Sequence, residues 1–164
     1  MTEVTKEIVD TGVVISASFK APRELVFRAH SESELLRQWW GPEGFPVSNS
    51  TMDFRVGGTW LYSMRSAESG EEFWSKAVYH EIVVPEKIVW TDAFCDAEGK
   101  VNEEMPQGTA TVTFTEQDGV TTVRSEIHYA DNALRDAIVQ MGMLEGMTIT
   151  LNQLETLLET LKAA

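Results

Sequence analysis

The chain has 164 residues, 43% of them hydrophobic and 24% charged, a composition that argues for one globular domain and against a disordered or fibrous chain. Twenty-six acidic residues against 13 basic ones give a net charge of −13, which argues against nucleic acid and against an anionic membrane as partners. No apolar run reaches the roughly eighteen residues of a membrane span, Met1 to Asp10 is too polar for a secretory signal, and the lone Cys95 has no internal disulfide partner, so a cytoplasmic location is expected.

Residues 1–10 read as an N-terminal tail or an extra strand. Val13 to Phe19 is a first strand, ended by Ala21-Pro22. Proline suits the first turn of a helix, and Arg23 to Ala29 reads as a short helix burying Leu25 and Val26. The Ser31-x-x-Glu34 pattern predicts a cap for a second short helix, Glu32 to Trp39, which Gly41-Pro42 stops. Val47 to Phe54 is extended, and Gly57-Gly58 marks a sharp bend that lets a sheet curve. Period two then puts Trp60, Tyr62 and Met64 on one strand face. Phe73 to Val84 is a long strand. Beyond the Pro85-Glu86-Lys87 turn, Ile88, Trp90 and Phe94 share a face of the next strand. Asp96 to Gln107 is a polar loop. Gly108 to Glu116 and Val120 to Tyr129 are strands joined by the hairpin signal Asp118-Gly119.

Asp131 to Leu161 follows without a proline and opens on Asp131 and Asn132, both good caps. Met147, Leu151, Leu154, Leu158 and Leu161 recur at spacings of three and four, one face of a helix. Thirty helical residues span about 45 Å, longer than a small domain is wide, so this helix must lie across the sheet. Met141 to Met147 is its soft spot, with two glycines that weaken a helix and three methionines that fill irregular space. The pattern of one strand, two short helices, six strands with short turns and a long helix predicts an α+β fold with a curved antiparallel sheet.

The aromatic set carries the best prospect of function. Trp39 and Trp40 end the helical pair, Trp60, Tyr62 and Met64 share one face, and Trp90 and Phe94 share another. A curved sheet would turn these rings towards the last helix, where Met141 and Leu144 lie, with the Tyr62 hydroxyl, Ser125 or Gln140 as polar anchors. The same rings could equally serve only as core. Glu145, mid-helix, is the one candidate for a catalytic acid or base, should it face inwards; the solvated reading is the plainer one. His30, His80 and His128 have no metal-ligand spacing to each other or to Cys95, and no metal or cofactor is expected. Leu154, Leu157, Leu158 and Leu161 extend beyond a single stripe and leave room for a homodimer contact.

Five motifs in order carry a resemblance. They are Ala21-Pro22 with Val26-Phe27, Trp39-Trp40-Gly41-Pro42, the Asp53 to Trp60 run Asp-Phe-Arg-Val-Gly-Gly-Thr-Trp, the Val84 to Thr91 run Val-Pro-Glu-Lys-Ile-Val-Trp-Thr, and Gly146-Met147 with Leu151, Leu154 and Leu158. Together they resemble the START-like, helix-grip (SRPBCC) superfamily, and within it the Hsp90 ATPase activator homologue C-terminal domain group. That resemblance implies a seven-stranded sheet wrapped round the long helix with an apolar cavity between. It implies binding of an apolar or amphipathic small molecule there, with a cyclase- or hydrolase-type enzyme and a chaperone-interacting module as alternatives. The family often has tryptophan in place of Met147.

Overall fold

The computed structural model describes residues 2–163. Its frame is one antiparallel sheet in the order β1-β2-β8-β7-β6-β5-β4-β3. The strands are β1 (Val4–Val9), β2 (Gly12–Phe19), β3 (Val47–Met52), β4 (Thr59–Arg65), β5 (Glu72–Val83), β6 (Lys87–Cys95), β7 (Gln107–Gln117) and β8 (Val120–His128). The helices are α1 (Arg23–Ser31), α2 (Ser33–Leu36), α3 (Asn132–Gln140) and α4 (Met143–Ala163). The α+β architecture, the antiparallel sheet and the helix-grip arrangement stand as the sequence predicts. The eighth strand is the N-terminal segment, which pairs along β2 from Val4 opposite Ala17 to Val9 opposite Gly12.

One phase of the alternation supplies the concave face. Val13, Ile15, Ala17 and Phe19 on β2 are buried, as are Val112 and Phe114 on β7 and Val123 on β8. Register links these residues directly, with Ile15 opposite Ser125, Val112 opposite Ser125 and Ile88 opposite Val112. Against this face lies α4, whose Leu151, Leu154, Leu157 and Leu158 are buried and whose Leu161 packs on the same core. The helix thus buries Leu154, Leu157 and Leu158 within its own chain and leaves Leu161 half-buried. Its 21 residues, about 31 Å long, cross the sheet.

Two helix boundaries differ from expectation. Ser31 belongs to α1, and α2 is only four residues, with Glu32 at its N-cap and no side-chain cap bond. The long C-terminal helix is broken. Asp131 does cap it, its side chain accepting from the Leu134 N–H at 2.8 Å, but α3 ends at Gln140 and α4 begins at Met143. Gly142 sits at φ +94°, a left-handed conformation that glycine alone adopts at little cost. Helix α4 is tied back to the Trp39 turn by Gln153, whose Nε2 donates to the Trp39 carbonyl at 2.8 Å and the Gly41 carbonyl at 2.9 Å.

Candidate functional site

Between the sheet and the broken helix is a cavity of about 370 Å³, within the range of about 300–1,000 Å³ typical of small-molecule sites. Its origin is a contrast of side-chain size across the concave face. Trp60 on β4 stands opposite Ala77 on β5, and Tyr62 opposite Ser75. Trp90 and Asp92 on β6 stand opposite Ala110 and Gly108 on β7. Small residues in the centre of a curved sheet leave volume that the rings at either side do not fill. Ser75, Gly108 and Ala110 accordingly form part of the cavity wall, with Trp40 and Trp90 beside them and Met143, Met147 and Leu151 as the roof. Gly108 is held small by close approach, since a Cβ there would lie 2.8 Å from the Tyr129 ring. Met141 lines the cavity yet is 70% exposed, so the space reaches the surface at the break between α3 and α4.

The aromatic wall is a connected cluster. Trp60 and Tyr62 stack with centroids 3.9 Å apart, and Trp40 meets Trp39, Trp60 and Trp90 edge-on at 5.3, 5.7 and 6.4 Å. Trp39 is buried and donates from Nε1 to the Ala29 carbonyl at 2.9 Å. His30 packs its ring on Trp39 and on Phe114 and lines the cavity. Burial lowers its pKa to about 4, opposed by its bond to the Val26 carbonyl. Nδ1 lies 2.9 Å from that carbonyl oxygen, so the neutral ring carries its proton on Nδ1 and presents Nε2 as an acceptor.

Asp92 is the residue the sequence reading passed over. It lies on β6 in phase with Ile88, Trp90 and Phe94, and so on the concave face and in the cavity wall. Tyr62 donates to its Oδ2 at 3.2 Å. Its Oδ1 is sealed from solvent with no hydrogen-bond partner among the described residues. Burial raises the carboxyl to about 7, against the bonds from Tyr62 and the Ala93 backbone that favour the ionised form. The Tyr62 hydroxyl also bonds with Trp40 and Ser75; burial first, then the Asp92 charge, lifts its pKa well above the phenol value. Tyr129 is pushed up to about 12 by burial and then by Asp92. Among the described residues no lysine or arginine lines this space.

Of the residues singled out from sequence, Trp39, Trp40, Met64, Trp90, Phe94, Ser125 and Met141 line the cavity. Trp60 and Tyr62 stand behind Trp40 and reach the cavity only through it and Asp92. Leu144 is half-buried against the core, off the cavity wall. Gln140 is exposed at the end of α3 and Glu145 is exposed on α4; neither is part of the cavity wall. Among the described residues no group of three or more His, Cys, Asp or Glu is placed to hold a metal ion. No helix there is long and apolar enough to cross a membrane.

The model of the family described as Activator of Hsp90 ATPase homolog 1-like protein matches residues 20–159. The chain belongs to that family. Solved structures agree in fold over nearly the whole chain. A Mycobacterium smegmatis protein is 28% identical, with a TM-score of 0.84 and 96% of both chains covered. A Staphylococcus epidermidis protein is 31% identical, with a TM-score of 0.82 and 95% of this chain and 94% of the other covered. An Arthrobacter aurescens protein is 25% identical, with a TM-score of 0.87 and coverage of 96% and 91%. No protein of curated function matches. The matched span, 20–159, takes in every wall of the cavity from His30 to Leu151 and leaves out β1.

Proposed function

We propose that the protein binds an apolar or amphipathic small molecule in the cavity between the sheet and the α3–α4 break. The observation that carries this is the central set of small residues, Ser75, Gly108 and Ala110, at wall positions where a packed core would place large ones. They leave about 370 Å³ beside the Trp40 and Trp90 rings, a void that costs stability unless it is filled. The expected result is saturable quenching of tryptophan fluorescence by 2-(2-naphthyl)ethanol, lost in Ala110→Leu, which fills the space. A flat titration with the folded protein would remove this reading.

A second reading, catalysis on the same scaffold, is favoured by Asp92. An enzyme here needs a proton-transfer group that faces the occupant, and a carboxyl near pKa 7 in an apolar wall is suited to it. Glu145, the candidate from sequence, is exposed and off the cavity wall. If a bound compound is converted, Asp92→Asn should abolish turnover while leaving binding measurable. Unchanged turnover in that variant rules the role out.

A further inference from the structure

We propose that the occupant is a hydrophobic amine, its apolar body against Trp90 and the α4 methionines and its ammonium group against the Asp92 carboxylate in the cavity wall. The proposal rests on the cavity being a binding site and names the chemistry of what it takes. Four observations lead to it.

The first is an orphan acceptor. Asp92 lines the cavity; its Oδ1 receives no hydrogen bond among the described residues, and beyond the Tyr62 hydroxyl on Oδ2 at 3.2 Å and the Ala93 backbone no group supports the charge. A buried carboxylate left in that state is costly, and an ammonium donor removes the cost with a charge-assisted bond. The second is the absence of any competing cation. Among the described residues the cavity wall contains no lysine or arginine, so no cationic side chain there answers the charge and a carboxylate-bearing ligand is repelled by it.

The third is the character of the walls. Trp40, Trp90 and Tyr129 surround the space, and the negative faces of indole and phenol rings attract a cation within about 6 Å. Trp40 also bonds the Tyr62 hydroxyl that holds Asp92, so the rings and the carboxylate form one unit. The fourth is the remaining polar lining. His30 is neutral with Nε2 as an acceptor, and the chain as a whole carries −13, a field that draws cations and repels anions.

The test compares two probes of the same shape, 2-(2-naphthyl)ethylamine and 2-(2-naphthyl)ethanol, by tryptophan fluorescence on the full chain. At about pH 8.5 the amine is still cationic and Asp92, near 7, is ionised. The amine is then expected to bind at least about tenfold more tightly than the alcohol, the difference of one charge-assisted hydrogen bond. Asp92→Asn should erase that preference, read as the ratio of the two affinities within the same variant.

The wild-type protein supplies an independent arm should the variant fold poorly. The titratable groups facing Asp92 are Tyr62 from β4, Tyr79 from β5, Tyr129 beyond β8 and Cys95 on β6, with His30 from α1 on the same cavity. All but His30 titrate well above neutrality, and His30 stays neutral down to about 4. The amine preference should therefore collapse as pH falls through about 7. Equal affinity for the two probes at about pH 8.5, or a preference that persists in Asp92→Asn, overturns the amine assignment while leaving the cavity reading intact. Binding of neither probe overturns both.

Discussion

Asp92 and His30 share one cavity and oppose each other in their response to pH. The folded protein holds the Asp92 proton up to about 7 against an unfolded value of 3.8. Stability from this group is fully present below the unfolded value and declines as pH rises to about 7. His30 runs the other way. Its folded pKa is about 4 against 6.5, so its contribution is present above 6.5 and is lost as pH falls towards 4. Between these limits the two partly cancel. Asp92→Asn should raise stability at pH 7.5 by up to about 4 kcal/mol and unmask the histidine, giving a protein that weakens steadily on acidification. Urea unfolding of both forms across that window checks it; parallel curves would contradict the assignment.

Asp92 was legible in principle. The alternation that puts Ile88, Trp90 and Phe94 on one face puts Asp92 there too, and it was missed because the face was read through its large apolar members. A polar residue in phase with a buried aromatic face is itself the signal, since such a position is seldom left to chance when the desolvation cost is this high. Gln140 shows the reverse: expected as a polar anchor, it is exposed and off the cavity wall, whereas Glu145 is solvated as the plainer reading had it. A helical position alone does not decide whether a side chain faces the cavity or solvent; the path of the chain does.

At the scale of elements, the apolar stripe of α4 was fully readable, because spacings of three and four in leucine have one helical solution. The break was not. Gly142 and Gly146 lie four residues apart in the same methionine-rich run, and a glycine inside a helix is tolerated at about 1 kcal/mol. The structure separates them. Gly142 has φ +94°, whereas Gly146 lies inside α4 with open space where a Cβ would project. Gly146→Ala should therefore stabilise the protein by about 0.5–1 kcal/mol. Gly142→Ala should destabilise it by about 1–2 kcal/mol through left-handed strain. Thermal unfolding of the pair distinguishes them, and equal signs would contradict the break. Leu154, fully buried on α4, should cost about 2–5 kcal/mol as Ala, read by the same method.

Across the whole molecule, the sequence conveyed the antiparallel sheet and its single crossing helix, but not the cavity's dimensions. Volume at the centre depends on which small residue faces which ring across four strands, and register is not a property of any one strand. Ala77 opposite Asp92 and Ala110 opposite Trp90 became informative only once β5, β6 and β7 were paired. Segment 2–10 was ambiguous for a related reason. Val4 to Val9 is half polar and mostly exposed, and it is a strand because β2 offers an edge, not because its own pattern demands one. Membership of the Activator of Hsp90 ATPase homolog 1-like family fixes this architecture and leaves activity to the site.

The claim that the central space is a binding site is met most directly by mapping amide shifts of the isotope-labelled protein during titration with 2-(2-naphthyl)ethanol. The account predicts saturable shifts that converge on Trp40, Trp90, Asp92, Gly108 and Met143, with little change on β1 or at the far end of α4. Shifts absent at saturating probe, or scattered over exposed positions such as Val56 and Val84, would contradict it.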